Sequence, residues 1–277
     1  MAALLRRYRP GRRTGGAQRP SGSSRRLVWL LGMVVLAGCP AFAPRLGPAR
    51  ETSADELVAG IEARRAAVTS LRARMRVRSG LAGMWVRQAV LVQRPTAIRI
   101  DVLSPFGLAL ALGTEGHTLW AFPPQQGIRY EGPASPANFA RLFGTPLGVA
   151  DLVDVLLGVP PARVAIERPT LDRSGDEYVL TIQFRGGTQL VHYALDTLRI
   201  TRIEERREGA PPIEVAFGDY RDDFARTLDL KGETGVTASI AFDDVERNAA
   251  IPPTAFEPPA ATRVLPLERA AAAPAPS

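Results

Sequence analysis

Ile98-Arg99-Ile100-Asp101-Val102-Leu103-Ser104-Pro105-Phe106-Gly107-Leu108-Ala109-Leu110-Ala111-Leu112 is the stretch whose reading decides the fold. Two apolar runs flank Ser-Pro-Phe-Gly, in which Pro suits a central turn position and Gly follows it, so the runs pair as antiparallel strands. Turn tips usually carry small polar residues, yet a large aromatic stands at this one. The residues leave two placements of Phe106 open: folded back onto the sheet, or an exposed apolar finger that touches lipid.

Upstream, Leu71, Ala73, Met75 and Val77 alternate with Arg72, Arg74, Arg76 and Arg78. That period of two predicts a strand with one dry and one wet face. Further strand-like runs cover 84–93, 97–103, 108–113, 118–122 and 128–131, then 163–167, 177–184, 189–194, 198–205, 213–219 and 236–243. Their turn-rich connections predict antiparallel pairing of neighbours. Helical periods occupy two places. Ser53 as N-cap, with Glu56 three residues on, opens a helix that ends near Ser70. Residues 137–143 form a short piece, and Val149, Leu152, Val153, Leu156 and Leu157 form an apolar stripe that stops at Gly158, Pro160 and Pro161. The order predicts an α+β fold: a strongly curved antiparallel sheet, a half-barrel of about 10–11 strands, with helices covering the concave face. An apolar cleft beneath those helices is the expected ligand site. Met75, Val77, Val90, Ile98, Ile100, Leu110, Leu112, Leu119, Leu152 and Leu156 are its candidate walls, by strand and helix phase.

The net charge of +7 belongs to the N-terminus. Eight arginines and no acidic residue precede Cys39; without them, 27 of the 35 basic residues stand against 28 acidic ones. A near-neutral remainder argues against nucleic acid, and it favours reading the arginine row as a solvated face over a polyanion site. Residues 1–38 have the basic, apolar and small-residue regions of an export signal, and the apolar run 27–37 is too short to span a bilayer. The only cysteine, Cys39, follows Leu36-Ala37-Gly38. Residues 39–53, with Pro40, Pro44 and Pro48, read as a tether, 54–250 as the domain, and 251–277 as a Pro/Ala-rich tail whose end is expected to be disordered.

Catalytic motifs are missing. No phosphate loop, nucleophile elbow, Cys-x-x-Cys or His-Glu-x-x-His occurs, and His117 and His192 are the only histidines. Both read as structural residues of strands, no metal site is expected, and the neighbours of Lys231 read as a loop. Binding is therefore favoured over catalysis.

Leu36-Ala37-Gly38-Cys39 resembles a bacterial lipobox. The resemblance implies a diacylglyceryl and an acyl group on Cys39, with no other cofactor, and Pro rather than Asp at position 40 implies the outer membrane. The hairpin 98–112, followed by Phe143-Gly144-Thr145-Pro146 and Leu157-Gly158-Val159-Pro160, resembles the LolB family of outer-membrane lipoprotein receptors within the LolA/LolB half-barrel superfamily. That likeness implies a monomeric lipid-anchored protein on the periplasmic face. Its partners are lipoprotein acyl chains or lipids and a periplasmic LolA-like carrier, and Pro105, Phe106 and Gly107 form its membrane-insertion loop. A structural scaffold of an envelope complex on the same fold is the competing reading.

Overall fold

The computed structural model describes residues 48–79, 83–143, 147–232 and 235–272. The export signal, Cys39 and most of the tether lie outside the described residues. Residues Leu46–Ser277 form one compact unit that holds every described strand, helix and core residue, so the segment is a folding body in its own right.

Helix α1 (Ala54–Ala67) opens with the capping box read from the sequence: the Glu56 amide donates to Ser53 Oγ at 3.2 Å, and the Ser53 amide to Glu56 Oε2 at 3.0 Å. Strands β1 (Ser70–Ser79), β2 (Val86–Gln93), β3 (Ala97–Ser104), β4 (Gly107–Glu115), β5 (Thr118–Phe122) and β6 (Ile128–Pro133) follow as a meander. Two helices interrupt it, α2 (Pro136–Phe143) and α3 (Val149–Leu156). A second meander then runs through β7 (Thr170–Ser174), β8 (Glu177–Phe184), β9 (Gly187–Ala194), β10 (Ile200–Arg207), β11 (Ile213–Arg221), β12 (Phe224–Gly232) and β13 (Gly235–Arg247), and β14 (Arg263–Pro266) closes the list.

The 14 described strands form one open, curved sheet in the order β14-β6-β5-β4-β3-β2-β1-β13-β12-β11-β10-β9-β8-β7. The long pairing of β1 with β13 joins the two meanders at its centre. Among the described strands only β14 with β6 is parallel. Twist accumulated over so many strands forces curling, and bulges at Arg74/Met75, Val102/Leu103 and Leu230/Lys231 add bend where β1, β3 and β12 need it. Leu71, Ala73, Met75, Val90, Val92, Ile98, Ile100, Leu112, Val191, Val215, Leu228 and Ile240 point inward, and with Leu57 and Ile61 of α1 and the apolar stripe of α3 they make the main core.

Four expectations need correction. The strand count exceeds the expected 10–11, because β7, β12 and β14 were not read as strands. Residues 163–167 form no strand beyond a single bridge, Ala165 to Phe184; the Arg163 side chain is instead drawn into an ion network. Lys231 lies in β12 rather than a loop, its Nζ 2.8 Å from Glu214 Oε1 on β11. Residues 251–272, set apart as a tail, belong to the folded body. Ile251 and Phe256 cover Leu91 and Ala97 on the outer face, and Leu267 is fully buried in the main core. Opposite Trp120, Gly113 leaves room for the indole, since a Cβ there would sit 2.4 Å from the ring.

Candidate functional site

Six of the ten candidate walls converge on one cavity. Met75 and Val77 of β1, Ile100 of β3, Leu112 of β4, and Leu152 and Leu156 of α3 enclose about 150 Å³ together with Leu142 and Phe143 of α2. Leu230, Ala238 and Ile240 complete the sheet side, and Ser79 and Gln88 stand nearest the strand ends. Val90, Ile98 and Leu119 share the inward phase but are fully buried in solid core, and Leu110 is half-buried against it, toward the turn. Sequence reasoning missed Phe143 and Leu142, which lie on the inner side of α2, and Leu230, which went with the unread strand. A larger groove of about 580 Å³ between α1 and the β9–β10 turn is lined by Arg50, Glu56, Arg64, Arg199 and Asp223. Its charged walls do not suit an apolar ligand.

Ion pairs hold one wall of the cavity in place. Asp154 of α3 is buried and accepts from Arg65 of α1 at 2.9 Å, from Arg94 of the β2–β3 turn, and from the Ala162 amide at 2.9 Å. One turn earlier, Asp151 takes a two-pronged contact from Arg163 at 2.9 and 3.0 Å and a third bond from Arg207 at 2.7 Å. Both arginines also reach the buried Glu205, which Gln189 Nε2 meets at 3.1 Å. No comparable ion pair ties α2 to the sheet among the described residues; the Phe139–Phe143 stack, 4.3 Å between centroids, and an Asn138 bond to the Pro133 carbonyl position it. The cavity therefore has one wall, α3, tied by ion pairs, and another, α2, held by packing and a hydrogen bond to backbone.

Burial alone would raise the Asp151 carboxyl, but the hydrogen bonds and charges of Arg163 and Arg207 outweigh it and hold the group below its ordinary value. A depressed folded pKa gives stability that is complete above the unfolded value, near about 4, and is lost as pH falls through the folded one. Urea midpoints are expected to hold from neutral pH down to about pH 4 and to drop below it. Asp151→Asn should lower the midpoint at pH 7 and narrow that gap in acid; a constant gap across the titration would remove Asp151 as the cause.

The turn at Ser104–Gly107 is as tight as a hairpin becomes. Ser104 pairs with Gly107, which leaves only Pro105 and Phe106 outside the ladder. Gly107 takes φ +113°, a conformation that L side chains rarely adopt. Ser104 Oγ accepts from the Phe106 amide at 3.2 Å and donates to the Gly107 carbonyl at 3.0 Å. So short a turn gives Phe106 no length to fold back, and its side chain is 96% exposed. Of the two placements left open by the sequence, folding back onto the sheet is excluded, and the side chain stands in solvent.

Among the described residues no three His, Cys, Asp or Glu side chains converge as metal ligands. His192 sits between Glu177 at 3.1 Å and Glu204 at 3.4 Å, with Arg202 beside it, as a structural cross-strand group. No described helix is long and apolar enough to cross a membrane.

No family model and no curated protein matches the chain. Solved structures do: a LolA superfamily protein from Nitrosomonas europaea superposes with a TM-score of 0.51 at 12% identity, over 75% of this chain and 99% of its own. The fold is LolA-like. A DUF1329 family protein from Desulfovibrio piger superposes at 0.50 with 10% identity, over 74% and 95%. At such identities the LolA-like likeness concerns the fold, and it does not single out LolB. Two of the motifs that carried the resemblance have local physical roles in this half-barrel, and Gly144-Thr145-Pro146 of the third lies outside the described residues. Gly107 closes the hairpin, and Leu157-Gly158-Val159-Pro160 ends α3 so that the Pro160 carbonyl accepts from Arg65 at 2.8 Å.

Proposed function

We propose that the cavity beneath α2 and α3 binds acyl chains of lipoproteins or lipids and helps pass them into the outer membrane. The protein is held there through lipidated Cys39, on the periplasmic face. One observation carries this reading: an apolar cavity, its walls reaching the strand ends at Ser79 and Gln88, lies on the same rim of the sheet as an exposed phenylalanine. The LolA-like fold and the absence of catalytic motifs from the sequence support it. An acyl chain costs about 0.8 kcal/mol per methylene exposed to water, so a carrier must cover it until the bilayer takes it over. A space of about 150 Å³ receives only the first few carbons; a longer chain is admitted by displacing α2, the wall without ion pairs. The protein acts as a monomer and without catalysis, and takes its cargo from a periplasmic LolA-like carrier.

Lipid extraction and mass spectrometry of the purified protein are expected to find acyl chains. Ser79→Trp, which puts an indole at an exposed position on the cavity lining, should weaken retention of a fluorescent fatty acid by about tenfold or more. Phe106→Glu should leave retention intact and abolish delivery to vesicles. Absence of acyl chains, together with a fatty acid that ignores Ser79→Trp, rejects the carrier reading. Recovery of an envelope partner that is insensitive to Phe106→Glu would then favour a scaffold.

A further inference from the structure

Phe106 has company on its rim. Because Val77 pairs with Val86 and Gln88 with Val102, the β1–β2 and β3–β4 turns lie side by side at one end of the sheet. On the first of them Met84 is 85% and Trp85 44% exposed, with Val86 and Leu103 also uncovered. Two adjacent turns thus hold large apolar side chains in water beside the cavity, where small polar residues are the rule.

Charge identifies what they meet. Along the outer face of β1, Arg72, Arg74 and Arg76 are matched by Glu246, Asp244 and Asp243 of β13. The match stops at the rim. Among the described residues Arg78 meets the Ser239 hydroxyl at 3.4 Å and no carboxylate, and it lies over the Trp85 ring at 5.1 Å. Arg87, exposed and opposite Arg76, has no ion pair among the described residues. From Val77 to Ile100 the sequence contains no acidic residue at all. Apolar tips beyond an aromatic ring, with guanidinium groups just behind it, match the depth order of a bilayer: acyl chains, interface, phosphates. A protein groove would need carboxylates placed for these arginines, whereas an anionic phospholipid surface supplies phosphates anywhere along it.

We propose that this rim docks on a bilayer containing anionic phospholipid, with Met84, Trp85 and Phe106 entering the acyl layer and Arg78 and Arg87 at the headgroup phosphates. The inference rests on the reading of the rim as the exit for cargo, and it specifies the surface that receives the cargo.

The test uses residues 46–277 with vesicles of phosphatidylethanolamine and phosphatidylglycerol, against vesicles of phosphatidylcholine. This segment has two tryptophans, and Trp120 is already fully buried, so a blue shift on binding reports Trp85. Anionic vesicles should shift the emission and co-sediment the protein, and phosphatidylcholine should do neither. Arg78→Gln with Arg87→Gln should weaken binding about thirtyfold, the factor for removing two cations from an anionic surface. Met84→Asp, at an exposed position that leaves the core untouched, should abolish it. An unshifted Trp85, or a double arginine variant that binds as the parent does, overturns the proposal. Fatty-acid retention measured on the same samples separates the two readings. Retention without docking defeats only the rim, and docking with an empty cavity defeats only the cargo.

Discussion

Asp154→Ala is expected to cost about 3–5 kcal/mol, a large share of the roughly 5–15 kcal/mol that holds a domain together. The carboxylate joins α1, the β2–β3 turn, α3 and the chain after α3 through Arg65, Arg94 and the Ala162 amide. The side chains of Arg65 and Arg94 are each only 17% exposed. Removing the acid strands two nearly buried cations. Among the described residues the Arg94 side chain keeps its bond to the Val68 carbonyl at 3.0 Å, and Arg65 keeps Pro160 and a distant Glu62. The loss comes from uncompensated charge and not from the pair's net worth, so replacing all three by apolar residues of similar size should recover most of it. Chemical unfolding of Asp154→Ala and of an Asp154→Leu, Arg65→Met, Arg94→Met triple variant checks this. A triple variant no more stable than the single one would show that the site holds α3 by geometry rather than by charge balance.

Period decided what was legible in advance. The alternation in 71–78 and 98–112 and the helical stripe in 149–157 each have one dry face, and each formed where expected. Strand β12 was missed because Arg226, over the Phe224 ring at 6.0 Å, occupies the phase of Phe224, Leu228 and Leu230 and breaks the apolar pattern. Strand β7 is an edge with almost no buried residue, so it has no dry face to detect. Strand β14 ends in proline and owes its place to its neighbour β6. The cavity was half legible for a related reason. Phase says which residues face inward, but not whether a helix rests on them or spans above them. Ile98 and Ile100 are both inward residues of one strand, and only Ile100 meets open space. The four arginines of β1 share one phase and read alike in the sequence. Only the partner strand β13 shows that three are neutralised and the fourth is not.

A chain that ends at Asn248 is expected to be unable to hold the fold. Its missing segment does three separate jobs. Ile251 and Phe256 cover Leu91 and Ala97 on the outer face, while Trp120 Nε1 donates to the Phe256 carbonyl at 3.2 Å. Arg99 and Arg129 donate to the Ala255 and Pro259 carbonyls at 3.1 and 2.7 Å, so the outer surface of β3 and β6 is built to receive this backbone. Leu267 then enters the main core beside Gly132, where a Cβ would lie 2.9 Å from it. Truncating one large buried apolar side chain costs about 2–5 kcal/mol, so losing three such groups reaches the total stability of an ordinary domain. It also bares β6 as an unpaired edge, which invites aggregation. Soluble yield should collapse, and any protein recovered should show red-shifted Trp120 emission. Leu267→Ala alone should keep the fold and lower stability by about 2–5 kcal/mol in urea. An unfolding midpoint in the chain ending at Asn248 equal to that of the parent would mean that the segment lies on the sheet without supporting it.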